Sequence, residues 1–165
     1  MNGNLFEYKW AEFSECRTYR YALWRIWDKR TPYVMFICLN PSTADELKDD
    51  PTVKRCIGFA KDWGYGGLCM TNLFALRATE PRVMLAHPSP VGPENDRWLF
   101  EIASNAGKII AAWGTNGGHL GRDKEIIKKI APLHCLIKTK DGFPGHPLFL
   151  KSTVKPVRME ARRGE

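Results

Sequence analysis

Three polar side chains stand where apolar runs of this chain stop. Asn40 follows YVMFICL, residues 33–39, and leads into Pro41 and Ser42. Asn72 lies in LCMTNLF, residues 68–74, and His146 in GHPLFL, residues 145–150. An amide carries both a donor and an acceptor, so Asn40 can hold a water and Asn72 can read a polar edge. An imidazole can donate to an oxygen that gains charge. A further apolar run, GKIIAAWG, ends at Trp113 and Gly114 and passes into the glycine-rich TNGGHLGR. No serine nucleophile elbow, phosphate-loop lysine or dinucleotide fingerprint accompanies these groups, and no pair of strand-end carboxylates does.

Such residues converge only if their strands end on one edge of a sheet. FEYKWAEFSE and TYRYALWRIW read as an antiparallel hairpin within residues 5–30. YVMFICL, LCMTNLF, GKIIAAWG and LHCLIKT read as buried strands. DDPTVKRCIGFAKDWGYGG reads as a helix that Asp50 caps, Pro51 opens and Gly64 to Gly67 end. A helical turn over Pro81 to Leu85 and helices in NDRWLFEIASNA and DKEIIKKIA complete the pattern. It predicts an α/β fold: a three-layer α/β/α sandwich with a mainly parallel four-stranded central sheet and an N-terminal antiparallel hairpin. One domain is expected over residues 1–150, with its core in 31–150, and a basic tail over 151–165.

Composition narrows the function classes. Of 165 residues, 44% are hydrophobic and 12% aromatic, enough for one domain with a real core. The five cysteines are scattered without a Cys-x-x-Cys pair, which reads as reduced thiols. Neither a metal nor a cofactor is expected. No apolar run reaches membrane-spanning length and the first residues lack a signal-peptide pattern, so the expectation is a cytoplasmic monomer without a membrane partner. The net charge of +7 favours a polyanion such as DNA.

Six stretches carry a family resemblance: LNPSTAD, DDPTVKRCIGFAKDWGYGGL, TNLFALRATEP, GPENDRWL, AAWG and GHPLFL. Together they resemble the phage and bacterial domain-of-unknown-function family 1643 over nearly the whole chain. More distantly, the order of the strand ends is similar to the uracil-DNA glycosylase superfamily. Its first strand ends in Gly-x-(Asp/Asn)-Pro and its second in an asparagine that reads the base. A later strand ends in Trp-Gly or Leu-Gly, and a His-Pro or Asn-Pro loop follows the last. Asn40-Pro41, Thr71-Asn72, Trp113-Gly114 and His146-Pro147 stand in that order. Leu39 before Asn40, and Leu148-Phe149 in place of Ser-Pro, depart from the pattern. AHPSPVG, with His87 to Pro90, copies the usual last motif but follows no strand, and reads as a proline-stiffened loop.

The resemblance implies hydrolysis of the N-glycosidic bond of an unusual, deaminated or modified base in single- or double-stranded DNA. Asn40 and His146 are then the catalytic candidates, placing water and stabilising the leaving oxygen. Asn72, Pro41, Ser42, Phe59, Phe74 and Gly114 are candidates for the base pocket, with Trp63 a further stacking surface. Arg77, Arg122 and Lys151 are candidates for phosphate, and Leu148 and Phe149 for a wedge in the base stack. Each has a plainer alternative. Asn40 can cap a helix entry, the aromatic residues can be core, Leu148 and Phe149 can belong to a terminal strand, and the arginines can be solvated surface. Asp49 and Asp50 read as a helix cap, with a water-activating carboxylate at Asp45 or Asp49 still open. Two other functions fit the same residues: a non-catalytic module that binds a nucleobase or DNA, and an N-glycosidic hydrolase or transferase of nucleosides or nucleotides.

Overall fold

A computed structural model describes residues 8–159, and the longest apolar runs supply its inner strands. In chain order the elements are β1 (Tyr8–Phe13), β2 (Arg20–Ile26), β3 (Tyr33–Cys38), α1 (Pro51–Asp62), β4 (Gly67–Asn72), α2 (Pro81–Ala86), α3 (Asn95–Asn105) and β5 (Lys108–Ala111). A 3-10 segment (Thr115–Gly121), α4 (Arg122–Lys129), β6 (His134–Cys135) and β7 (Val157–Arg158) follow.

Successive strand residues point to opposite faces, and here both faces are covered. On one face Met35, Ile37 and Cys69 pack with Met84 of α2, Leu99 and Ile102 of α3 and Ile126 of α4. On the other, Val34, Phe36, Leu68 and Met70 pack with Val53, Cys56, Ile57, Phe59 and Ala60 of α1. That is why β3 and β4 read as unbroken apolar runs. The start of α1 follows from its sequence: an Asp50 carboxylate oxygen accepts from the Val53 N–H at 2.9 Å, and Pro51 takes the first helical position.

The expected four-stranded, mainly parallel sheet of the uracil-DNA glycosylase type is not what forms. One mixed sheet of seven strands runs in the order β1-β2-β4-β3-β5-β6-β7. Pairs β1/β2, β2/β4 and β6/β7 are antiparallel, while β3/β4, β3/β5 and β5/β6 are parallel. The fold remains α/β. The hairpin joins the sheet because β2 is apolar on both faces: Ala22 belongs to one core cluster and Leu23 to the other. Its Leu23–Ile26 register against Gly67–Met70 of β4 keeps both covered.

Two further differences lie near the chain's end. LHCLIKT forms only the two residues of β6, because the chain turns and pairs with itself. Lys138 bridges Pro144, and the Gly145 N–H donates to Ile137 O at 2.7 Å. Val157 and Arg158, read as basic tail, add β7 to the sheet edge through Cys135 and His134. No helix among the described residues is long and apolar enough to cross a membrane.

Candidate functional site

Because β3, β4 and β5 run parallel, their exits reach one edge of the sheet. Backbone bonds lock the exits together: Leu73 N–H to Cys38 O at 2.9 Å, Phe74 N–H to Leu39 O at 3.0 Å and Ala112 N–H to Ile37 O at 2.8 Å. The Gly114 N–H donates to Pro144 O at 2.8 Å and ties in the loop that carries His146. The loop between β3 and α1 is held from below by two buried arginines of β2. Arg20 donates to Ala44 O at 3.0 Å, and Arg25 donates to Asp45 O at 2.6 Å and to the Asp49 carboxylate at 2.8 Å. Sequence reading passed over both arginines, although polar residues inside RYALWRI were the signal.

Asn40 is a structural tie. Its Nδ2 donates to Ala78 O at 2.9 Å and Pro41 O at 3.1 Å, with Leu76 O at 3.4 Å. Pro41 is buried, and its carbonyl accepts from the Ala78 N–H at 2.9 Å. Ser42 lines a shallow depression of about 430 Å³ with Thr43, Arg77, Ala78, Thr79 and Val83.

Asn72 is different. It follows Leu68 and Met70 on the face that α1 covers, paired with Cys38, and it is 2% exposed. Its Nδ2 has no hydrogen-bond partner, and neither do the buried Nε atoms of Arg20 and Arg55. Around them the electrostatics converge on Asp50, at the N-terminus of α1. Burial lowers the Arg20 guanidinium to about 10, with Asp50 pulling upward. Burial pushes the Cys38 thiol up to about 12, with Arg20 pulling downward and Asp50 upward. The His146 imidazole lies below the ordinary histidine value, desolvation outweighing the pull of Asp50. Its Nδ1 accepts from the Leu148 N–H at 3.1 Å, so the neutral ring carries its proton on Nε2. His87 makes the same turn with the Ser89 N–H at 3.0 Å, so both His-Pro loops share one local geometry.

The other candidates are scattered. Phe59 is core, stacked on Trp63 at 5.5 Å, and Phe74 is core beside His119. Trp63 donates its indole N–H to Val154 O at 3.1 Å. Arg122 is buried, donating to Leu73 O at 2.8 Å and to the Asp96 carboxylate, which leaves it no face for a phosphate. Arg77 is half-buried over the Phe13 ring and donates to Arg17 O at 3.3 Å. Gly114 holds a positive φ that any side chain would strain. Leu148 is half-buried and Lys151 exposed. Phe149 is 93% exposed, and Leu47 and Leu120, on neighbouring strand-exit loops, are 78% and 67% exposed. Leu47, Leu120, Asp50 as more than a cap, and Arg55 are the site features that sequence reading missed. Among the described residues, no three His, Cys, Asp or Glu side chains gather as a metal-holding group.

A family model described as "Protein of unknown function (DUF1643)" matches residues 20–148, most of the chain. No curated protein and no solved structure matches it.

Proposed function

The chain belongs to this family, whose description assigns no activity, and we propose that it binds an unusual or modified base of DNA at the strand-edge cluster and hydrolyses its N-glycosidic bond. The observation that carries the reading is the set of partnerless buried donors, Asn72 Nδ2, Arg20 Nε and Arg55 Nε, together with an Asp50 carboxylate whose charge acts on both Arg20 and His146. Each such donor costs about 1–3 kcal/mol if nothing takes its bond. A base edge rich in carbonyl oxygens takes several at once.

The chemistry follows from what surrounds them. As the bond from the base to C1′ breaks, its electron pair leaves with the base and the sugar becomes oxocarbenium-like. Asp50 stabilises that cation and accepts the proton of the water that adds to C1′. The base departs as its anion against the Nε2–H of His146 and is protonated from solvent. Phe149 and Leu120, exposed on flanking loops, suit a wedge that fills the space an extruded base vacates. The order of strand-end motifs, similar to that of the uracil-DNA glycosylase superfamily, supports the same substrate, as does the net charge of +7.

A second reading, a base-binding module without turnover, is favoured by Asn40, whose amide hydrogens are committed to backbone carbonyls. Duplexes carrying modified and deaminated bases, followed by alkaline cleavage of abasic sites, separate the two. Asp50→Asn keeps a good helix cap, so it is expected to fold and bind DNA but to lose excision by at least about a hundredfold. Excision unchanged in this variant overturns the role of Asp50. Binding without excision across the panel selects the module. Activity confined to free nucleosides, without salt-sensitive DNA affinity, overturns both.

A further inference from the structure

On the face opposite the Asn72 cluster, a cavity of about 630 Å³ opens between the end of β5, α4 and the turn that follows β6. Its wall is apolar: Trp113, Ile127, Ile130, Leu133, Phe143 and Pro144. Its rim is basic, with Lys124, Lys128, Lys138 and Arg158. Asp123 is the single carboxylate of the lining, and one of its oxygens accepts from the Lys124 N–H at 2.7 Å. Among the described residues, Lys128, Lys138 and Arg158 form no ion pair. Trp113 is 2% exposed, and the Nε1 edge of its ring packs against Gly117, outside the cavity lining.

The geometry points to a second binding site here, for a small anion with an apolar body, such as a medium-chain carboxylate or an aryl carboxylate. Size selects a small molecule, since such sites span about 300–1,000 Å³ and a docked helix needs a longer groove. An apolar wall takes the body of such a ligand by area burial. The rim selects the sign of its charge, because three cations without ion pairs lower the cost of bringing an anion to the mouth. The site is independent of the base-binding reading: α1 and Asn72 lie on the other face, and no residue of that cluster lines this cavity.

Isothermal titration calorimetry of the full chain with sodium octanoate, phenylacetate, octanol and octylammonium chloride tests it. Octanoate is expected to bind one to one and at least about tenfold more tightly than octanol or octylammonium. Lys128→Glu with Lys138→Glu, two exposed substitutions, is expected to erase that preference while the circular dichroism spectrum and melting stay unchanged. Lys54→Glu, an exposed change on α1, leaves binding as it was. Equal binding of anion, alcohol and ammonium overturns the proposal. So does unaltered octanoate binding in the doubly reversed variant, or no binding of either carboxylate in the millimolar range.

Discussion

Asn40 Nδ2 lies 2.9 Å from Ala78 O, and the Ala78 N–H returns a bond of 2.9 Å to Pro41 O. This two-rung clamp joins the loop leaving β3 to the loop leaving β4. Asn40→Ala removes one rung and is expected to cost about 1–2 kcal/mol in urea unfolding. Asn40→Asp costs more, because a carboxylate would face the carbonyl oxygens of Pro41, Leu76 and Ala78. A water-holding role for Asn40 requires the opposite: Asn40→Asp as stable as the parent and faster in excision. That result would sink the clamp.

Asn72 carries the converse prediction. Its side chain is buried and its Nδ2 bonds to nothing. Asn72→Val removes a donor that the folded state leaves unsatisfied and adds a residue suited to a strand. Stability is expected to hold within about 1 kcal/mol or to rise, since an apolar replacement avoids the desolvation penalty. Affinity for base-containing DNA is expected to fall at least about tenfold. Unfolding and binding measured on the same preparation decide it. A large stability loss with unchanged affinity would make Asn72 a structural residue.

These two asparagines show what was legible in the sequence. Apolar runs and turn residues placed β3, β4, β5 and α1 within a few residues, because hydrophobic pattern and capping are local. The strand ends that residue type singled out, at Asn40, Asn72 and Gly114, do come to one edge of the sheet, because β3, β4 and β5 run parallel. Residue type could not separate Asn40 from Asn72, since whether an amide bonds to backbone depends on carbonyls about forty positions away, at Ala78 for Asn40. Arg122 was illegible for the same reason: its partners, Leu73 O and Asp96, come from other elements. The docking of the hairpin on β4 escaped reading because it rests on β2 being apolar on both faces, which short runs do not announce. Asp50 was read correctly as a cap. That its charge also acts on Arg20, Cys38 and His146 is tertiary information.

The thiols divide sharply. Cys16 is exposed, and hydrogen bonds from Thr18 and Ser14 to the thiolate lower its pKa to about 7. Cys38, Cys56, Cys69 and Cys135 are buried, and burial raises each. Iodoacetamide at neutral pH is therefore expected to label Cys16 alone, with half-maximal rate near pH 7 rather than near the ordinary value of about 8.5. The four buried thiols should react only on unfolding. Peptide mapping by mass spectrometry reads both statements. Thr18→Val should move the labelling midpoint upward without exposing any buried cysteine. A midpoint that stays near pH 7 in that variant would discount the Thr18 hydroxyl.

His134 governs acid stability through its surroundings. Desolvation first, then the positive charges of Lys108 and Arg158, hold its folded pKa below the ordinary value. Its Nδ1 is buried without a partner, so protonation there creates an N–H with nowhere to donate. The sign follows from proton counting: between the depressed folded pKa and the unfolded value of about 6.5, the unfolded chain binds more protons. The contribution of His134 is therefore present above about pH 6.5 and is lost as pH falls through the folded value. His146 is lowered as well and acts with the same sign. The urea midpoint of the parent should drop between about pH 7 and pH 5, and His134→Gln should flatten part of that slope, leaving the share of His146. Arg158→Gln removes one of the depressing charges and should shift the drop to lower stability loss at the same pH. Parallel slopes for parent and His134→Gln would show that the ring at position 134 does not change its proton affinity on folding.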